Sequence, residues 1–124
     1  MVEVIATDEF AEWYRCLDLI DAEAVNRSVH RLEQKGVGLG FPHSSAIRKS
    51  RHALRELRVQ SGGRPLRIFY AFDPLRQAVL LIGGDKTGDD RFYERAVPLA
   101  DDVLDAYLAE QAAGLHPGPV DGED

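Results

Sequence analysis

An α+β fold is expected, with one small antiparallel meander sheet, a helical hairpin before it and a single helix after it, in the order β-α-α-β-β-β-α. Two observations point there. Between Ala53 and Tyr93, apolar runs of five to seven residues (54–60, 66–72 and 78–82) alternate with turn chemistry at Ser61-Gly62-Gly63-Arg64 and Asp73-Pro74-Leu75-Arg76, the signature of consecutive hairpins. On either side of that stretch, apolar residues recur at helical rather than strand spacing.

The elements follow in order. Glu3-Val4-Ile5-Ala6 is a short strand. Thr7 or Asp8 can cap a helix running through Asp18, with Phe10, Trp13, Tyr14 and Leu17 as its apolar stripe. Asp21 can cap a second helix to Lys35, striped by Ala22, Val25, Val29 and Leu32 and stopped at Gly36. The glycine-rich segment 36–43 lacks phosphate-loop spacing and reads as a connection, and 44–52 reads as a basic, irregular lead into the meander. After the meander, Asp89-Asp90-Arg91-Phe92-Tyr93 suggests a helical turn. Pro98 can then open a last helix to about residue 111, with Leu99, Val103, Leu104, Tyr107 and Leu108 inward. Residues 1–112 are expected to form one domain, and 113–124 a disordered acidic tail.

A four-residue connection at 61–64 pairs Gln60 with Pro65, Val59 with Leu66, Arg58 with Arg67 and Leu57 with Ile68. Side chains alternate faces, so Leu57, Val59, Leu66, Ile68 and Tyr70 line the buried side while Glu56, Arg58 and Arg67 share the other. Opposed guanidinium groups destabilise a strand pair. The pattern makes sense if an anion or a partner's carboxylate lies between them; the alternative is a solvated face on which Glu56 compensates. In the same register Phe69, Leu80 and Ile82 oppose Tyr70 and Leu81, so something apolar must cover them, either the last helix or a partner.

Composition narrows the class. With 124 residues, 44% hydrophobic and 29% charged, the chain suits one soluble domain. Its longest apolar run is far too short for a bilayer span, and no signal-peptide pattern opens it. Cys16 stands alone, which suits a reducing compartment, and no Cys/His cluster has zinc-ligand spacing. The net charge is −6 but unevenly spread. Between 48 and 67, Arg48, Lys49, Arg51, Arg55, Arg58, Arg64 and Arg67 face only Glu56, a local charge of +6 that leaves −12 on the rest. Polyanion binding depends on local potential, so RNA, DNA or an acidic protein all remain open as partners.

The element order, together with Leu57-Arg58, Arg67-Ile68-Phe69-Tyr70, Leu80-Leu81-Ile82-Gly83-Gly84-Asp85-Lys86 and Phe92-Tyr93, resembles the RelE/ParE toxin superfamily, and within it the HigB-like, phage-derived branch of type II toxin–antitoxin systems. The resemblance spans about residues 2–110 and rests on the ordered set of motifs rather than on any one. It implies a RelE-like fold with the two N-terminal helices on one sheet face and a cleft on the other. It implies a cytoplasmic, ribosome-dependent mRNA endonuclease in which the ribose 2′-OH attacks the adjacent phosphorus without metal or cofactor. ParE-like relatives with the same fold instead poison DNA gyrase, and an inactive phage remnant is a third outcome; fold alone does not separate them. The partners implied are a cognate antitoxin with a helix-turn-helix DNA-binding domain, the ribosome and mRNA, and operator DNA through the antitoxin only.

Carried onto this chain, the resemblance places Arg67 as a phosphate clamp, for which a planar fork is suited, with Arg58 in the same role. Lys86 would stabilise the transition state or act as a base, Tyr93 would stack on a base or hydrogen-bond phosphate, and Glu56 is a general-base candidate. Arg48, Lys49, Arg51, Arg55 and Arg64 form the accompanying RNA-binding set. This chain departs from the HigB pattern in having no histidine between Arg58 and Tyr93. His43 and His52 precede the meander and are the nearest replacements, so the acid–base pair is unassigned.

Overall fold

The first two helices are each anchored near their start by a side chain that reaches another element. In the computed structural model, which describes residues 1–115, strand β1 (Val4–Ala6) runs straight into Thr7. Thr7 Oγ1 accepts from Phe10 N at 3.2 Å and is directed at the carbonyls of Leu80 and Leu81, at 2.9 and 3.0 Å. One hydroxyl therefore caps α1 (Asp8–Arg15) and ties it to a neighbouring strand. Helix α2 (Leu19–Lys35) begins earlier than the sequence suggests, because Asp18 takes the cap by accepting from Asp21 N at 2.8 Å. Asp21, the expected cap, is left a turn inside and turns its carboxylate to Ser61 Oγ and Arg64, each at 2.6 Å. Gly36, at φ +56°, ends the helix as expected.

The strands that follow are β2 (Ser44–Ala46), β3 (Arg55–Ser61), β4 (Arg64–Phe72) and β5 (Ala78–Asp85). They form one five-stranded sheet in the order β1-β5-β4-β3-β2, with β1 parallel to β5 and every other pair antiparallel. The sheet is thus mixed: the expected meander sits at its centre with an added strand on each edge. The expected β3–β4 register holds, with Arg58 opposite Arg67 and Leu57 opposite Ile68. The connection is tighter than expected, two residues rather than four, because Gly62 and Gly63 adopt φ of +57° and +79°.

Two differences matter for the site. Ser44–Ala46, expected to be irregular, pairs with Arg55–Leu57 and places Ser45 opposite Glu56. A shift in the β4–β5 register between Phe69 and Tyr70 pairs Phe69 with Ile82 but Tyr70 with Leu80. Leu80 therefore joins Tyr70, and Leu81 joins Phe69, reversing the faces expected for those two leucines. A bulge adds one residue to one strand and so changes the parity beyond it.

Two cores result, one on each sheet face. Leu57, Val59, Leu66, Ile68, Tyr70 and Leu80 pack with Phe10, Val25 and Leu32 from α1 and α2. Phe69, Val79 and Leu81 pack with Phe92, Val97 and Leu104 from α3 (Phe92–Ala112). The chain's own last helix thus covers Phe69, which is fully buried, and the reason for placing a partner over that apolar face falls away. Helix α3 itself starts before Pro98 and runs through it, in place of the expected separate turn followed by a helix. Phe92, Ala96, Val97 and Ala100 all bury on one side. Pro98 and Glu94, whose carbonyl would have received the missing N–H, lie on the exposed side.

No helix among the described residues is long and apolar enough to cross a membrane. Of the tail expected to be disordered, residues 116–124 lie outside the described residues.

Candidate functional site

The Arg58–Arg67 opposition is resolved by Glu56. This carboxylate sits on β3 with a side chain only 6% exposed and receives four groups. Tyr93 donates its hydroxyl to Oε1 at 2.7 Å, and Ser45 donates to Oε2 at 2.8 Å. Arg67 Nε lies 3.6 Å from Oε1 and an Arg58 terminal nitrogen 3.6 Å from Oε2. The intramolecular carboxylate thus fills the place in which the sequence left room for an anion. Arg67 is as deeply buried as Glu56; its second polar contact is to the Leu66 carbonyl at 3.0 Å, and Nε has no hydrogen-bond partner. Arg58 is about a third exposed and faces outward over the Phe41 ring, 5.1 Å from its centroid.

Tyr93 projects from the first turn of α3 and is held by aromatic contacts. Its ring stacks on Phe69 with centroids 6.0 Å apart and meets Phe92 edge-on at 5.2 Å. Of the aromatic pair, Phe92 is the core member. Lys86, just past the end of β5, places Nζ 5.2 Å above the outer face of the Tyr93 ring. Asp85, its sequence neighbour, is occupied by Arg64 and Thr87 instead. Burial, followed by the hydrogen bond to the Glu56 carboxylate, pushes the Tyr93 phenol above its ordinary pKa. At neutral pH it is a protonated donor. Glu56, Arg58, Arg67, Lys86 and Tyr93 therefore form one cluster, with Glu56 and Arg67 as its floor and Arg58, Tyr93 and Lys86 as its rim.

The remaining basic residues scatter. Arg64 is held between Asp21 and Asp85 at the hairpin tip. Its guanidinium pKa is raised by those hydrogen bonds, and both carboxylates are lowered, Asp21 by Arg64 first and Asp85 by Thr87 first. Arg51 is paired with Asp102 and Asp105 on α3, while its backbone N–H bonds to buried Asp101 at 3.0 Å. Arg55 points to the α1/α2 side, donating to Ser44 Oγ at 3.0 Å. Arg48 and Lys49 are exposed. His52 is bound to Asp105 at 2.6 Å, away from the cluster, and His30 lies 3.4 Å from Glu33. His43 stands at the sheet edge near Arg58. Ser45 escapes sequence reasoning, and no signal marks it except its place in a strand too short to show a pattern.

The Gly83-Gly84 pair before Lys86 has a packing origin. A Cβ on Gly83 would fall inside the Trp13 indole on one sheet face, and one on Gly84 would lie 2.8 Å from the Phe92 ring on the other. The glycines let aromatic rings close on both sides of β5, which sets the height of Tyr93 and Lys86 above the sheet.

A small sheet backed by a helical hairpin, with an Arg/Glu/Tyr/Lys cluster at the start of the last helix, defines a protein of RelE-like architecture. Residues 12–105 match the family model described as phage-derived protein Gp49-like (DUF891), and the chain belongs to that RelE/HigB-like family. Two proteins of Mycobacterium tuberculosis H37Rv are similar to it. "Putative toxin HigB3" is 36% identical over 113 residues, 90% of this chain and 97% of its own. "Putative toxin HigB2" is 37% identical over 106 residues, 83% of this chain, which spans about half (53%) of that relative's length.

Proposed function

We propose that this protein is the toxin of a type II toxin–antitoxin system and that it cleaves mRNA on the ribosome. The family and the relatives named as toxins support the first part. The observation that carries the second is the Tyr93–Glu56 hydrogen bond set between Arg58 and Lys86. In the reaction the ribose O2′–P bond forms and the P–O5′ bond breaks, leaving a 2′,3′-cyclic phosphate and a 5′-hydroxyl. The 2′-OH proton passes to the Tyr93 oxygen as Tyr93 passes its own to Glu56 Oε1. Lys86 gives a proton to the departing O5′. Arg58, on the rim, faces the charge that develops on the phosphoryl oxygens. Arg67 acts from below, balancing Glu56 and fixing its direction, and is a positioning residue. A cognate antitoxin with a helix-turn-helix domain holds the toxin inactive in the cytoplasm and carries the pair to operator DNA.

The burial of Arg67 beneath Glu56, with no histidine of the described residues hydrogen-bonded to either, favours a second reading, a toxin that binds gyrase or another protein without cutting RNA. Cell-free translation with the purified protein, followed by primer-extension mapping of mRNA 5′ ends, separates the two. Cuts confined to translated mRNA and lost in Lys86→Ala are expected. Intact mRNA together with growth arrest on expression transfers the assignment to the second reading, which a gyrase supercoiling assay then tests.

A further inference from the structure

Helix α2 carries a basic cleft that shares only Arg58 with the catalytic cluster. Arg27 and Arg31 stand one turn apart on it, and across from them lie His43 and Arg58, at the sheet edge just before β2, where the Arg58 N–H donates to the His43 carbonyl at 2.9 Å. The cleft measures about 310 Å³ and has no carboxylate in its lining. Arg27 and Arg31 have no ion-pair partner among the described residues, whereas Arg51 and Arg64 are each bound by two carboxylates. On a chain of net charge −6, free arginines beside a concavity stand out against the neutralised ones. The cleft wall holds a second, independent sign: Ser28 is 3% exposed, lines the cleft, and its Oγ has no hydrogen-bond partner. A buried hydroxyl without a partner costs stability, and a ligand oxygen in the cleft would supply one. Beside it Phe41 is 76% exposed, its ring under the Arg58 guanidinium.

We infer that this cleft is a second RNA subsite, binding a backbone phosphate between Arg27, Arg31 and Arg58 while an adjacent base stacks on Phe41. The proposal rests on the RNA reading above. Three guanidinium forks suit a phosphodiester, and an exposed aromatic beside them is what single-stranded RNA adds over any other polyanion. Arg58 borders both the cleft and the catalytic rim. A strand crossing the sheet edge there would place one phosphate in the cleft and a neighbouring one over Tyr93 and Lys86, so the subsite would set which linkage is cut.

The test uses the isotopically labelled full chain and a single-stranded hexanucleotide with 2′-O-methyl riboses, which cannot undergo 2′-OH attack, so binding is read apart from cleavage. Titration followed by NMR is expected to shift the Arg27 and Arg31 side-chain N–H signals and move the Phe41 ring protons upfield. Inorganic phosphate should move the arginine signals alone. Arg27→Ala/Arg31→Ala should weaken the oligonucleotide by about tenfold and flatten its salt dependence by about 0.7 for each phosphate no longer neutralised; Arg27→Lys/Arg31→Lys should restore part of the affinity. Unchanged binding in the double alanine variant, with its circular dichroism native, overturns the subsite and leaves the nuclease reading standing. A hexaglutamate peptide that binds the cleft while RNA does not overturns it in favour of an acidic protein segment. Oligonucleotide bound in the cleft by a protein that leaves translated mRNA intact sinks the nuclease reading alone.

Discussion

Tyr93 donates its hydroxyl to Glu56 Oε1 at 2.7 Å, across the sheet face on which Arg67 lies 3.6 Å from the same oxygen. This one carboxylate holds a neutral donor and a buried cation together, so its two contacts should fail differently. Tyr93→Phe removes a hydrogen bond and leaves the charge pair, a loss of about 1 kcal/mol in stability. Glu56→Gln leaves the Arg67 guanidinium buried without a counter-charge, and the loss should reach about 3 kcal/mol. Urea denaturation of the two variants measures the difference. Equal losses would mean that Arg67 and Glu56 are not coupled in solution.

Asp73 makes the stability depend on acid. Its buried carboxylate accepts from Leu75 N, Gln77 N, the Gln77 and Gln111 amides and Tyr107 Oη, at 2.7 to 3.1 Å. Burial alone would raise its pKa, but the hydrogen bonds outweigh that and hold it below the usual value. A carboxylate depressed in the fold contributes stability at pH values above its unfolded value of about 4, and the contribution is lost as pH falls through the folded pKa. Asp73→Asn turns an amide donor toward three other donors and should cost about 2 kcal/mol at pH 7. The gap between variant and wild type should narrow below about pH 4, where the wild type loses its own charge. Denaturant midpoints against pH check this.

Tyr107 marks the alkaline side of the same contact. Burial first, and then its hydrogen bond to Asp73, raise the phenol to about 12. A group raised in the fold contributes fully below its unfolded value of about 10 and loses that contribution as pH rises toward the folded one. Stability should therefore fall between those two values, and Tyr107→Phe should remove this component of the fall. An unchanged alkaline limb in the variant would refute the assignment.

How far the residues alone reveal the site depends on where each partner sits. The opposition of Arg58 and Arg67 is readable because the hairpin turn that sets it, Gly62-Gly63, is local and flanked by strand patterns. The faces of Leu80 and Leu81 are not readable: the run 78–82 is apolar on both faces, so either parity buries it well, and only the bulge opposite Phe69 decides. The segment Ser44–Ala46 has no apolar alternation, which hides both the strand and Ser45. Arg51 and Arg64 look like free cations because their carboxylates, Asp102, Asp105 and Asp21, lie about forty to fifty positions away in the chain and meet them only in the fold. Glu56 is legible as a compensating charge, but not as a buried one.

The segment before β3 is tied to α3 by carboxylates of unequal burial. Asp101, 2% exposed, accepts from Ser50 Oγ at 2.6 Å and Arg51 N at 3.0 Å, whereas Asp105 meets Arg51 and His52 at the surface. Removing the buried Asp101 carboxylate leaves the Ser50 hydroxyl and the Arg51 N–H, both part-buried donors, unmatched and should cost about 2 kcal/mol. Asp105→Ala should cost clearly less, since exposed ion pairs are worth little. Amide exchange across 48–52 should accelerate strongly in Asp101→Ala and weakly in Asp105→Ala.

Gly83 tests whether the glycine pair before Lys86 serves packing or the ligand. The Trp13 ring occupies the space a Cβ would need, and Trp13 belongs to α1, on the sheet face away from the Glu56 cluster. Gly83→Ala should therefore displace α1 and cost about 2 to 3 kcal/mol, the upper part of the range for overpacking a filled core. It should also change the near-ultraviolet circular dichroism of the only tryptophan. Trp13→Leu should relieve the clash, so the double variant should be less destabilised than the two single losses added together. If the glycine instead served close approach of a ligand, Gly83→Ala would spare stability and the tryptophan signal, and Trp13→Leu would rescue nothing.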